Sequence, residues 1–229
     1  MWGGDDRGTA DLWDGQSTMV VGVSQDVVER FVGACREAQR RGLLRCSSGN
    51  LSQRVDGERM LVTATRSWLG RLTAADVALC RIDDGACLDG RRPTVEVNLH
   101  AGILRARPEI DVVLHFQSPH ATTLACCESR DVNFFVIPEI PFYIGPIGRV
   151  PYLTPGSQEL ADAVVEVMRN HNLALMGNHG QVTVARDLDH AIQNAEFFEL
   201  ACQIILQGGR SVTPLSDEAA RNLRALGAV

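Results

Sequence analysis

Three positions could converge on one reactive point. His115 ends the apolar run Val112 to Phe116, which reads as a buried strand. Strand residues two apart share a face, so His115 and Gln117 can point the same way. His179 lies in the turn Gly177-Asn178-His179-Gly180 between two apolar strands and could supply a third ligand. Two imidazoles and an amide oxygen around a divalent cation would form a Lewis-acid centre. Taken singly, the same histidines also suit hydrogen-bonded core or turn positions. Glu96 is either a solvated helix-face residue or, beside a metal in a polar cleft, a proton carrier whose pKa burial would raise.

Neighbouring residues suggest support. His100 is one helical turn past Glu96 and on the same face, as a hydrogen-bonding partner would be. His120, three past Gln117, reads as second-layer support that could also swing in as a substitute ligand, whereas His171 and His190 look like surface residues. Two turns, Ser47-Ser48-Gly49-Asn50 and Thr63-Ala64-Thr65-Arg66, offer hydroxyls and flexible backbone of the kind that collects a phosphate. Such turns also serve simply to connect strands.

Composition narrows the chemistry. All 22 basic residues are arginine, so a lysine Schiff base, a lysine-bound pyridoxal cofactor and a Walker phosphate loop are excluded. A formal net charge of -6 argues against a polyanion groove, and nucleic acid is not an expected partner. Seven cysteines without a CxxC pair suit buried thiols in a reducing compartment. No apolar stretch approaches the roughly 18 residues of a membrane span, so a cytoplasmic protein with no membrane partner is expected.

The elements that must position these residues alternate along the 229-residue chain. Residues 1–22 read as a loose tail. A helix capped by Ser24 follows, then strands over Leu51 to Arg54, Met60 to Thr65 and Asp76 to Ile82. A helix is expected to open at Pro93 and run through Arg105, then the His115 strand, then a helix over Pro119 to Cys127. Val132 to Gly156 holds five of the nine prolines and reads as strand, exposed loop and strand. A helix capped by Ser157, strands over Leu173 to Met176 and Val182 to Ala185, and a helix over Leu188 to Leu206 complete one α/β domain over residues 23–208. Residues 209–229 form a C-terminal tail in which Asp217 to Leu226 could make one more helix.

Read in order, Ser47-Ser48-Gly49-Asn50-Leu51-Ser52, Val62-Thr63-Ala64-Thr65, Glu96, the segment His115-Phe116-Gln117-Ser118-Pro119-His120, the segment Tyr152-Leu153-Thr154-Pro155-Gly156 and Asn178-His179-Gly180 resemble the class II aldolase/adducin family. The resemblance implies a single αβα three-layer domain with a central, mainly antiparallel sheet. It also implies a homotetramer and a zinc ion at the subunit boundary. By resemblance the metal ligands match His115, Gln117 and His179, the catalytic carboxylate matches Glu96, and the phosphate pocket matches Gly49, Asn50, Thr63, Thr65, Thr94 and Val95. Tyr143 is the nearest match to a tyrosine that reaches in from the neighbouring subunit.

Three positions depart from the family pattern. Gln117 stands where the family has a histidine, which opens the metal choice to Mn2+, Co2+ or Fe2+ beside Zn2+. Arg66 replaces a small glycine and could pair with phosphate or select a carboxylate, and Val95 replaces a serine. The expected activity is aldolase-type cleavage of a small hydroxy-carbonyl compound through a metal-stabilised enediolate. Epimerase, dehydratase, decarboxylase and non-catalytic adducin-like roles remain as alternatives.

Overall fold

The computed structural model describes residue 20 and residues 22–127 and 132–227. Most of the expected N-terminal tail lies outside the described residues, but Val20 packs into the core. Seven strands form one sheet: β1 (Asn50–Arg54), β2 (Arg59–Thr63), β3 (Val77–Arg81), β4 (Val112–Phe116), β5 (Ile147–Val150), β6 (Leu173–Met176) and β7 (Gly180–Ala185). Their order is β3-β2-β1-β4-β7-β6-β5, antiparallel throughout except for the β5–β6 pair, so β4 occupies the centre.

Alternation along the strands builds a core on each face. Val112, Leu114 and Phe116 of β4 join Leu51 of β1 in one apolar cluster. That cluster is covered by α1 (Gln25–Arg40), α3 (Pro119–Ala125) and α5 (Leu188–Gly208). Val113 of β4 and Val182 and Val184 of β7 face the other cluster, under α2 (Val97–Ala106) and α4 (Gln158–Met168). Helices on both faces of a sheet buried throughout its centre give the three-layer arrangement. Period two then places Asn50, Ser52 and His115 on the α2 face, with Asn50 paired across from His115.

Helix boundaries follow their caps. Ser157 Oγ accepts from Leu160 N at the start of α4, and Asp187 accepts from His190 N at the start of α5. Ser24 sits at the N-cap of α1 without a side-chain cap bond. Where a helix was expected from Pro93, the backbone stays extended, because Pro93 bridges Ala64 and Thr94 N donates to Thr63 O at 2.9 Å. The helix therefore begins at Val97, leaving Glu96 as its N-cap residue.

The proline-rich stretch also differs from expectation: it holds a π-helical turn over Ile140–Ile144 and a single strand, β5. C-terminal to α5, α6 (Asp217–Leu226) folds back on that turn, where Gly227 approaches the Phe142 carbonyl so closely that a Cβ would lie 2.1 Å from it. No helix among the described residues is long and apolar enough to cross a membrane.

Candidate active site

Glu96 enters from the start of α2, His115 from the end of β4, and His179 from the turn between β6 and β7. Glu96 is 6% exposed and its two carboxylate oxygens are divided between the imidazoles. His115 Nε2 lies 3.5 Å from Oε2 and His179 Nε2 lies 3.5 Å from Oε1. The rings meet edge to face with centroids 4.8 Å apart. His115 Nδ1 donates to the Gln181 carbonyl at 2.8 Å, which fixes the ring so that Nε2 is turned toward Glu96.

A divalent cation fits this donor set. One atom each from Glu96, His115 and His179 lie within 4.8 Å of one another, and the buried Glu96 Oε1 has no hydrogen-bond partner among the described residues. A cation would satisfy that oxygen while drawing on unprotonated nitrogens. Two imidazoles and one carboxylate are a set used for catalytic zinc and for other first-row metals.

The charge states suit the same role. Burial pushes the His179 imidazole down to about 4, with His115 adding to the effect and Glu96 opposing it. For Glu96, burial works against ionisation, but His115, the Asn50 hydrogen bond, His179 and His100 together outweigh it. Its carboxyl therefore lies below the ordinary carboxylate range, the reverse of the rise expected from burial alone.

Above these groups opens a cleft of about 560 Å3 lined by Ser47, Gly49, Thr65, Arg66, Thr94 and Val95, among others. Gly49 and Arg66 both have left-handed backbone, φ +73° and +61°. That explains why a glycine would suit position 66, and an arginine there carries about 1 kcal/mol of strain. Arg45, which the sequence did not single out, also lines the cleft. Among the described residues, neither guanidinium has a hydrogen-bond or ion-pair partner, so both are open to an anion.

Other expected residues stand elsewhere or do other work. Gln117 lines the cleft, but its Nε2 donates to the His179 carbonyl at 2.9 Å, tying the end of β4 to the His179 turn. Thr63, 1% exposed, is enclosed in the sheet, where its hydroxyl accepts from Leu51 N at 3.4 Å. Asn50 donates to Glu96 Oε2 at 2.8 Å and faces His100 with its oxygen. His120 turns to Glu199, 2.7 Å away. Glu199 also accepts from Ser118 Oγ and from the backbone N–H groups of His120 and Ala121, fastening the start of α3. Tyr143 stacks on Phe197 at 5.6 Å and lines a separate cavity with Arg107, Arg186 and His190, remote from its own chain's cleft.

Comparison with known proteins fits this architecture. Residues 29–206 match the family described as Class II Aldolase and Adducin N-terminal domain. A 3-oxo-tetronate 4-phosphate decarboxylase from Haemophilus influenzae is 30% identical over 203 residues, covering 87% of this chain and 96% of the relative. An L-fuculose phosphate aldolase from Methanocaldococcus jannaschii is 31% identical over 178 residues, covering 78% and 94%. Among solved structures, YgbL from Klebsiella pneumoniae superposes with a TM-score of 0.83 at 27% identity, covering 88% of this chain and 99% of that one.

Proposed function

The chain belongs to the class II aldolase and adducin family, and from that premise we propose that it is a metal-dependent carbon–carbon lyase that decarboxylates a short, phosphorylated 3-oxo sugar acid. The convergence of Glu96, His115 and His179 beneath a cleft with two unpaired arginines carries this reading. The names of the decarboxylase relatives support the choice of bond, as their match spans most of the chain. Aldol cleavage is the alternative supported by the aldolase relatives.

A 3-oxo acid loses carbon dioxide when the bond to its carboxylate breaks and the electron pair moves onto the neighbouring carbonyl oxygen. A bound divalent metal, held by His115, His179 and Glu96, supplies Lewis acidity for that charge, a task no lysine is present to perform. Zn2+ is the first choice, with Mn2+, Co2+ and Fe2+ also suited to the ligands. Glu96, ionised in the free site, takes a proton from water and passes it to the carbon that carbon dioxide leaves. Arg66 and Arg45, with the hydroxyls of Thr65 and Thr94, receive the phosphate. In a homotetramer, Tyr143 of one copy would meet the cleft of the next.

The test is to load the purified protein with each metal and follow carbon dioxide release from 3-oxo-tetronate 4-phosphate, with ketose 1-phosphates tested in parallel for aldehyde release. Turnover of the acid, lowered 10²- to 10⁴-fold in Glu96→Gln, is the expected result. Aldehyde release without carbon dioxide would replace decarboxylation by aldol cleavage. Absence of both, in a protein that takes up no metal, would leave a non-catalytic relative.

A further inference from the structure

Behind Glu96 lies a buried string of polar side chains. Asn50 and Ser52 project from β1 onto one face of the sheet, and His100 descends from α2 to join them. Ser52 Oγ is 2.7 Å from His100 Nδ1, His100 Nε2 meets Asn50 Oδ1, and Asn50 Nδ2 donates to Glu96 Oε2 at 2.8 Å. Ser52 and His100 are 0% exposed and Asn50 is 7% exposed.

The direction of every bond follows from the last one. A carboxylate only accepts, so Asn50 must give it an N–H and turn its oxygen toward His100. His100 then carries its proton on Nε2 and accepts the Ser52 hydroxyl proton through Nδ1. Each contact along the string thus pairs one donor with one acceptor.

The amide of Asn50 is thus committed inward, to Glu96 and His100. We propose that Ser52, His100 and the Asn50 side chain are positioning groups that fix the rotation of the Glu96 carboxylate, and that the Asn50 amide acts through Glu96 and not as a ligand of the substrate's phosphate. With Oε2 held by Asn50, which also lines the cleft, the other oxygen stays turned to His179, and the fully buried Ser52 and His100 hold that arrangement from outside the cleft. The inference rests on the role given to Glu96 above. It departs from the phosphate-pocket role that family resemblance lends to Asn50.

Asn50→Leu, His100→Phe, Ser52→Ala and Ser52→Thr, each checked for a cooperative urea transition, separate the two roles. In metal-free wild type, ¹⁵N NMR should show His100 protonated on Nε2 alone; protonation on Nδ1 overturns the string whatever the protein catalyses. By calorimetry, Asn50→Leu should bind inorganic phosphate within twofold of wild type, whereas a tenfold loss would make Asn50 an anion ligand and overturn the proposal. With Co2+ bound, His100→Phe should change the visible absorption spectrum, and an unchanged spectrum counts against positioning.

On whichever substrate is turned over, kcat should fall 30- to 100-fold in Asn50→Leu with KM within twofold. Ser52→Ala should lose roughly two- to tenfold in kcat, with Ser52→Thr recovering it. A rise in KM at constant kcat would overturn the proposal. The NMR and phosphate measurements need neither turnover nor metal, so failure of the lyase reading is distinguishable from failure of this one.

Discussion

Replacing Gly49 by alanine tests how tightly the sheet holds His115. Gly49 leads into β1 at φ +73°, and a Cβ built there falls 1.9 Å from Leu44 Cδ2 and 2.6 Å from the His115 carbonyl oxygen. Leu44 is 2% exposed and has little room to rotate, and the carbonyl belongs to the central strand. Left-handed backbone costs an alanine about 1–2 kcal/mol, and displacing packed atoms adds about 1–3 kcal/mol. Gly49→Ala should therefore destabilise by about 2–5 kcal/mol, read from urea transitions in the presence of chelator so that metal binding does not contribute. Gly57→Ala is the control, since it is exposed with nothing within 4 Å of its built Cβ and should stay within about 0.5 kcal/mol of wild type. A Gly49→Ala protein as stable as that control would refute the packing argument.

Arg66→Gly should weaken inorganic phosphate binding about tenfold by calorimetry while leaving the urea midpoint nearly unchanged, because glycine relieves the left-handed strain at φ +61°. Glu199→Ala should lower stability by about 2–3 kcal/mol in urea titrations, since it frees the Ser118 hydroxyl and two N–H groups at the start of α3. Metal-free protein should lose stability on acidification. His100 and His179 are held at about 3 and about 4, below the unfolded value near 6.5, so the unfolded chain binds more protons between these limits. The contribution is complete above pH 6.5 and lost as pH falls through about 4 and then about 3; urea midpoints that stay flat from pH 7 to pH 4 would contradict it.

Much of the architecture is legible because burial imposes simple periods. Val112 to Phe116 and Leu173 to Met176 read as strands, and are strands, because continuous apolar runs of that length suit a sheet covered on both faces. Glu96, His115 and His179 are legible as chemistry-bearing types in telling places. What they touch is not, since that depends on register across distant segments. Only the pairing of Asn50 with His115 turns the Asn50 amide toward Glu96 and His100. The Glu96 carboxyl moved opposite to expectation for the same reason: apart from His100 on its own helix, its partners come from β1, β4 and the His179 turn, far from it in sequence. The turn over Ile140–Ile144 was hidden because a run of large apolar residues between prolines suits a strand equally well, and contact with α6 decides the matter.

The three candidate ligands are contributed by positions 96, 115 and 179, and the last becomes neighbour to the first two only through the β4–β7 register. An ion can thus do little to guide the early collapse of this chain, because most of the polypeptide must already be in place before it has anywhere to sit. Uptake of metal becomes a report of finished topology, and a nascent chain stopped short of residue 180 would be blind to it. On the metal-dependent reading proposed above, scarcity of the ion would then leave a folded but idle protein, ready to be switched on by supply alone.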